Sequence, residues 1–155
     1  MPEHEHEKDD MTQQPISGTL IQDLTLQCLD RQSRPVELVA TFGYQPDDPY
    51  AVWLTFHAPD GEVRWAISRA LMLHGLTAPA GEGDIRLWPS IDEDARAVLV
   101  IDFRSPHGRL VAQALTSEVH GFLTRSLAMV PLGTESMHLD VDALVASILG
   151  GSATE

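Results

Sequence analysis

The stretch "DDPYAVWLTFHAPDG", Asp47 to Gly61, decides how this chain is expected to fold. It opens with an acidic turn, continues as an aromatic-rich strand and closes with the turn "PDG". The segment that follows, "EVRWAI" (62–67), also has the composition of a strand. Two strands joined by such a short turn predict a β-hairpin.

The two segments before this hairpin alternate between apolar and polar residues. The first, "TLIQDLTLQCL" (19–29), places three leucines and Cys28 on one face. The second, "PVELVATFGY" (35–44), does the same with an aliphatic and aromatic face. A period of two indicates amphipathic β-strands. The prolines and aspartates of "QPDDP" (45–49) predict a loop after the second strand.

Beyond the hairpin, the sequence predicts a short helix and then three more strands. Ser68 is the expected cap of the helix, which ends at Gly75. The strands are expected in "GDIRLWPS" (83–90), "RAVLVIDFR" (96–104) and "RLVAQAL" (109–115). Because proline cannot donate to a β-ladder, Pro89 is expected to end its strand or to lie at an edge.

Two further helices are predicted in the last third of the chain. Thr116 or Ser117 is expected to cap the first, and Pro131 and Gly133 to end it. The second starts near Asp140 and runs into Gly150 and Gly151. The expected core face of the first helix consists of Val119, Phe122, Leu123, Leu127 and Val130.

Residues 51–63 align with residues 97–110, allowing one insertion. Each copy is a strand, a turn containing proline and glycine, a second strand and a hydroxyl-capped helix with a His-Gly pair. This suggests an internal duplication, although hairpins can also resemble each other by chance. The predicted fold class is therefore α+β, with two antiparallel sheets each followed by a helix, plus a C-terminal helix. The domain is expected to span residues 17–150, between disordered tails at 1–16 and 151–155.

Charge excludes more functions than any motif. The net charge is −13, of which residues 1–10 contribute −4, leaving −13 − (−4) = −9 for the rest. Apart from Lys8, every basic residue is an arginine, and the arginines are scattered singly along the sequence. This balance disfavours binding to nucleic acid and to anionic membrane surfaces. With no secretory signal and no membrane-spanning run, a cytoplasmic protein is expected.

No catalytic, cofactor-binding or metal-binding residues are predicted. The phosphate-loop, nucleophile-elbow and zinc motifs are absent from the sequence. Asp102, Ser105 and His107 contain the right groups for a hydrolase triad, but they belong to one hairpin, so a turn is the preferred interpretation. The "EHEHE" run (3–7) is interpreted as a solvated tail in preference to a loose metal site. Cys28 is expected to be a small buried hydrophobe.

Two predicted strands are apolar on both faces. In "RAVLVIDFR", Leu99 and Ile101 share one face while Val98 and Val100 share the other, and residues 51–57 are similar. Because a small antiparallel domain usually leaves one sheet face in water, such strands need a helix on each side or a second subunit. A homo-oligomer is therefore expected.

Three linked stretches resemble the SsgA-like proteins, small actinomycete regulators of sporulation-specific cell division. They are "DPYAVWLTFH" (48–57), "GEGDIRLWPS" (81–90) and "VPLGTESMHLDVDALVASIL" (130–149), in the family's order and spacing. The stretch "ISRALMLHGL" (67–76) departs from the family pattern because no acidic residue follows Arg69. The resemblance spans roughly residues 20–149.

The resemblance implies a non-enzymatic scaffold, trimeric and similar in fold to the "whirly" domains. It also implies recruitment to the cell septum, with the tubulin-like division protein FtsZ or another SsgA-like protein as partner. The alternative is a whirly-type single-stranded nucleic-acid-binding protein, which the acidic charge disfavours. Structural anchors, as opposed to binding residues, are expected at Asp48, Pro49, Tyr50, Trp88, Pro89, Pro131 and Glu135.

Overall fold

The computed structural model describes residues 18–29, 32–139 and 148–149. These residues form eight β-strands, two longer α-helical segments and one 3-10 helix, Glu135–His138. The helices are α1 (Arg69–Gly75) and α2 (Thr116–Met129). The strands are β1 (Leu20–Leu29), β2 (Pro35–Gln45), β3 (Asp48–Ala58), β4 (Gly61–Ser68), β5 (Ala80–Glu82), β6 (Ile85–Ile91), β7 (Ala97–Ser105) and β8 (Gly108–Leu115).

All eight strands belong to one curled antiparallel sheet, in the order β4-β3-β2-β1-β8-β7-β6-β5. The prediction of two separate sheets is therefore wrong. Each group of four strands is followed by a helix, as expected, but β1 joins the two groups by pairing with β8. Among the described residues, three pairs make this junction, from Gln27 opposite Gln113 to Leu29 opposite Val111. The internal duplication stays a prediction.

The curl of the sheet encloses the hydrophobic core. The ring of Phe103 on β7 lies 5.4 Å from that of Phe56 on β3 and 5.0 Å from that of Trp65 on β4. Helix α1 contacts both edge strands, β4 and β5, as well as β3 and β6. It packs closely enough that a Cβ on Gly75 would lie 2.9 Å from the Cβ of Leu87, so only glycine fits there.

The stretch at residues 47–61 forms β3 and its flanking turns, and β3 pairs with β4 in the predicted hairpin. The first of these turns joins β2 to β3. The turn is shorter than the predicted loop, since β3 already begins at Asp48 and includes Pro49. Between Gly43 and Gln45 the register with β3 shifts, which marks a β-bulge. Proline is tolerated at such an irregularity because the ladder is already interrupted. The motif at residues 48–50 therefore shapes the entry into the central hairpin.

The predicted helix starts had different outcomes. Ser68 caps α1, as predicted, by accepting a hydrogen bond from the backbone N–H of Leu71 at 3.1 Å. The predicted cap of α2 at Thr116 or Ser117 is wrong. Strand β8 continues directly into the helix, so the N-cap is Leu115, which provides no side-chain cap. The predicted C-terminal helix from Asp140 lies for the most part outside the described residues.

The core face of α2 agrees with the prediction except at Leu127, which is only half-buried. Val119, Phe122, Leu123 and Val130 are buried, and the ring of Phe122 meets that of Phe42 edge-on at 5.6 Å. Strand β6 pairs with β5 only from Ile85 to Leu87. Pro89 therefore lies where the outer edge of β6 is unpaired with β5, as expected of proline.

Strand β7 is buried on both faces within a single chain. Val98 and Val100 face away from the main core, yet they are only 3% and 4% exposed. Their cross-strand neighbours include Leu115 on β8 and Trp88 on β6. The apolar second face of β7 therefore does not by itself require another subunit.

Candidate protein-interaction surface

The first predicted anchor motif holds the bulge between β2 and β3. The carboxylate of Asp48 accepts a hydrogen bond from the indole N–H of Trp53 at 2.9 Å. The carbonyl of Pro49 accepts one from the hydroxyl of the buried Tyr44, also at 2.9 Å. Tyr50 is 52% exposed. Asp48 and Pro49 thus act structurally, while Tyr50 presents its ring to solvent.

A buried arginine connects this motif to the last one. Arg69 is 1% exposed, and its guanidinium lies 4.8 Å from the ring centre of Tyr44. Its Nη2 donates to the carboxylate of Glu135 at 3.0 Å, and its Nη1 donates to the carbonyl of Ser126 at 3.1 Å. We call Tyr44, Arg69, Ser126 and Glu135 the Arg69 cluster. It ties α1, α2, the 3-10 helix and β2 together.

Glu135 is the predicted anchor whose role the structure makes clearest. One oxygen of its carboxylate accepts the backbone N–H of Gly133 at 2.9 Å, and the other accepts Nη2 of Arg69. Its own backbone N–H and then Arg69 hold the pKa of this carboxyl below its ordinary value. Just before it, the exposed Pro131 offers its carbonyl to the backbone N–H and the hydroxyl of Thr134.

The partner of Glu135 was missed in the sequence. Nothing distinguishes Arg69 from an exposed helix arginine in a single sequence, since most arginines keep their charge in water.

The hairpin with Asp102, Ser105 and His107 forms a turn and no triad. The hydroxyl of Ser105 accepts the backbone N–H of His107 at 3.1 Å and donates weakly to the carbonyl of Gly108 at 3.4 Å. Asp102 is held by arginines and not by an imidazole. The turn interpretation agrees with these hydrogen bonds.

A different row of hydrogen-bonded hydroxyl, imidazole and carboxylate groups crosses the outer face of the sheet. His57 places Nε2 2.7 Å from the hydroxyl of Thr41 and Nδ1 3.2 Å from the carboxylate of Glu62. The Thr41 hydroxyl donates to Asp23 at 2.6 Å. Acyl-transfer catalysis also needs free N–H donors for the oxyanion, but β2 and β3 are paired on both sides at this level. We therefore interpret these hydrogen-bonded side chains as a polar network between neighbouring strands.

Metal and thiol chemistry receive no support from the part of the chain that the structure describes. In that part, no three His, Cys, Asp or Glu residues are placed to hold a metal ion together. Cys28 is buried as predicted, 2% exposed, and burial raises the pKa of its thiol to about 11. No helix of the described residues has the length and apolarity to cross a membrane.

A groove lies on the outer face of the sheet, where β1 ends beside β8 and the β7–β8 turn. Its cavity volume is about 630 Å³. We call it the outer groove. Leu29 is 41% exposed there, and the predicted anchor Trp88 is half-buried in its wall. Its lining residues also include Val111, Arg104 and Arg109.

The rim of the outer groove carries two arginines held by one buried aspartate. Arg109 donates through Nε and Nη2 to the two oxygens of Asp102, both at 2.9 Å, and Arg104 donates from 3.3 and 3.4 Å. The Asp102 side chain is 2% exposed, against 55% and 56% for the arginines. These hydrogen bonds, first from Arg109 and then from Arg104, lower the pKa of Asp102.

The basic rim was not apparent from the sequence because it depends on the register of the strands. Arg104 pairs directly with Arg109, and Arg86 pairs directly with Asp102 on the next strand. Three arginines that are scattered in the sequence therefore gather on one face. The arginines are scattered along the sequence, but these three lie close together in the sheet.

Comparison with known families decides the identity. Residues 38–135 match the model of the family described as "Streptomyces sporulation and cell division protein, SsgA". The chain belongs to the SsgA family. Over 148 residues it is 36% identical to the sporulation-specific cell division protein SsgB of Kineococcus radiotolerans, covering 94% of this chain and 90% of that protein.

Two solved structures extend the likeness to the SsgA-family fold. An SsgA-like sporulation-specific cell division protein from Thermobifida fusca is 35% identical, with a TM-score of 0.74 over 83% of this chain and 94% of that one. A structure from work on SsgB mutations that correlate with longitudinal cell division during sporulation of Streptomyces coelicolor gives 35% identity and a TM-score of 0.73. It covers 78% of this chain and 95% of that one.

Proposed function

We propose that this SsgA-family protein regulates sporulation-specific cell division, in septum-site selection or septation, through contacts with other proteins. Its relatives named SsgB support the role in sporulation cell division. The observation that carries the contact mechanism is the outer groove, which combines an exposed apolar floor with a basic rim. Protein–protein interfaces typically combine an apolar centre with a polar rim and are enriched in arginine and tryptophan.

The proposed partner is the tubulin-like division protein FtsZ or another SsgA-like protein. Co-sedimentation of the purified chain with FtsZ polymers is the direct test. We expect the protein to pellet with polymers and to stay in the supernatant when the nucleotide is withheld. The same assay is repeated with another SsgA-like protein added to the FtsZ polymers. If the chain remains in the supernatant in both assays, recruitment is wrong.

Localisation to the septum follows from the same proposal. The protein would act in the cytoplasm and be recruited to division sites. A fluorescent fusion at the native locus should form regular foci or ladders in sporulating hyphae. Uniform fluorescence, together with normal septation in a deletion strain, would contradict it.

A homo-oligomer, and specifically a trimer, is proposed by analogy with the fold that the resemblance implied. Several copies on one filament would add avidity of about 10²–10⁴ to weak single contacts. Light scattering coupled to size exclusion should give three times the mass of a 17.0 kDa chain. A mass of one chain at working concentration would remove the oligomer from the proposal.

The second candidate is a single-stranded nucleic-acid-binding protein. The gathering of Arg86, Arg104 and Arg109 on one face, beside Trp88, is the observation that favours it, because such proteins combine basic grooves with stacking rings. The net charge of −13 opposes it. A gel shift that weakens steeply with salt would support this candidate, and none at low salt would exclude it.

A further inference from the structure

We infer that the outer groove binds an acidic segment of a partner protein that carries one large apolar side chain between carboxylates. This inference rests on the proposed function, because it specifies the chemistry of the partner in that contact. The residues that carry it are the rim pair Arg104 and Arg109 with Asp102, and the floor residues Leu29 and Val111.

The contacts with Asp102 use only some of the hydrogen-bond donors of the rim pair, Arg104 and Arg109. Arg104 and Arg109 reach Asp102 with Nε and Nη2, so the Nη1 edge of each guanidinium is not used in that contact. A guanidinium has five donors and matches a carboxylate with two parallel hydrogen bonds. Because Asp102 restrains both side chains, less conformational entropy remains to be lost on binding.

The floor of the groove accommodates an apolar side chain. Leu29 is 41% exposed although it lies in the sheet between β2 and β8, and Trp88 presents part of its ring beside it. A volume of about 630 Å³ exceeds that of one side chain, so a short peptide segment fits. An inorganic anion alone would leave this apolar surface in water.

Charge selects an acidic partner at this place in particular. Arg104, Arg109 and Asp102 together carry one net positive charge, whereas the whole chain carries −13. An acidic segment is therefore repelled by most of the molecule and attracted at the rim. The same overall charge opposes a nucleic acid, whose phosphates would extend past the groove.

The test is an NMR titration of the ¹⁵N-labelled full-length chain with three synthetic peptides. The probe is acetyl-EEWEE-amide, and the comparisons are acetyl-EEAEE-amide and acetyl-KKWKK-amide. We expect shift changes concentrated at Leu29, Val111, the Trp88 indole and the arginine Nε groups. The lysine peptide should bind at least tenfold more weakly, and the alanine peptide should lose the changes at the floor.

Two variants separate binding from folding. The double variant Arg104→Gln/Arg109→Gln keeps hydrogen-bond donors but removes both charges, and we expect at least a tenfold loss of affinity for acetyl-EEWEE-amide. The control Arg64→Gln removes an exposed charge from β4, where the guanidinium lies 4.3 Å from the centre of the Trp53 ring. It should bind the peptide within twofold of the unchanged chain. Equal binding by all three proteins, or scattered shift changes, would overturn the inference.

Other occupants give different results. If the peptide binds only after residues 1–16 are deleted, the chain's own acidic N-terminal segment fills the groove and the partner assignment is wrong. If a deoxythymidine oligonucleotide shifts the same resonances at lower concentration than the peptide, nucleic acid is the ligand and the inference is equally overturned.

The FtsZ co-sedimentation distinguishes this inference from the proposed function. If the unchanged chain pellets with polymers and the double variant pellets equally, the groove is not the contact although the function stands. If the unchanged chain does not pellet, recruitment of FtsZ fails, and the peptide titration still decides whether the groove accepts an acidic segment.

Discussion

Two arginine–carboxylate clusters in this molecule share a buried carboxylate but differ in the burial of the arginine. In the Arg69 cluster the guanidinium is buried and joins a helix, a 3-10 helix and the sheet. At the outer groove the carboxylate of Asp102 is buried and the guanidiniums of Arg104 and Arg109 are more than half exposed. The comparison shows that the same ion pair stabilises packing when both partners are enclosed and presents charge when only the anion is enclosed.

Replacement of the enclosed cation should have the largest effect. Arg69→Met leaves Glu135 without its main cationic partner and removes the hydrogen bond to Ser126. We expect a loss of about 3–5 kcal/mol in the free energy of unfolding, measured by urea denaturation. The control Arg64→Met, at an exposed arginine on β4, should change it far less. Equal effects would show that the burial of Arg69 contributes little.

Replacement of the enclosed anion should come next. Asp102→Asn keeps the shape of the side chain but leaves Arg104 and Arg109 facing each other without a negative charge. We expect a loss of about 1–3 kcal/mol, because hydrogen bonds to charged groups are lost or weakened. The control is Asp94→Asn at an exposed residue that pairs with Arg96 at 3.5 Å. If Asp102→Asn is neutral, the rim is held by packing and not by its aspartate.

A fall in pH should reduce the contribution of both clusters to the free energy of unfolding. The pKa values of Glu135 and Asp102 are lowered in the folded protein. A lowered pKa means that the unfolded chain binds protons first as the pH falls. The stabilisation is therefore complete above the unfolded pKa of about 4 and is lost as the pH falls below it. Urea denaturation between pH 7 and pH 3 should show a shallower acid decline in Arg69→Met and in Asp102→Asn.

The exposed arginines of the rim should matter least for stability. Arg104→Gln and Arg109→Gln alter side chains whose charges are largely screened by water. We expect each urea midpoint to shift less than the midpoint of Asp102→Asn. A large shift in either variant would mean that the rim holds the fold together, and the distinction between the two clusters would fail.

Much of the local structure was predictable because its signals are local. The alternation at residues 20–29 and 35–45 reports a period of two directly, and Ser68 before an apolar helix is a capping signal. The cap of α2 was not predictable in the same way. Thr116 has the right chemistry, but β8 enters the helix without a loop, so the residue is already helical.

The features that form the candidate site depend on pairings between distant residues. The single sheet results from the short pairing of β1 with β8. The sequences of these two strands contain no signal that they pair with each other. The basic rim results from the register of β7 and β8, which pairs Arg104 with Arg109 across one turn, and from that of β6, which brings Arg86 onto the same face. Trp88 was singled out by family resemblance, but only the fold places it beside Leu29 and Arg104.

The three-pair junction between β1 and β8 provides a natural reporter of motion. Cys28, the one cysteine of the chain, is the middle residue of β1 in that junction and lies opposite Ala112. Since its thiol is enclosed in the core, a thiol reagent reaches it only in molecules whose structure has opened around β1. The rate of labelling therefore measures how often the fold opens at this junction, without any engineered probe. Slower labelling in the presence of a partner would reveal that binding holds this junction closed.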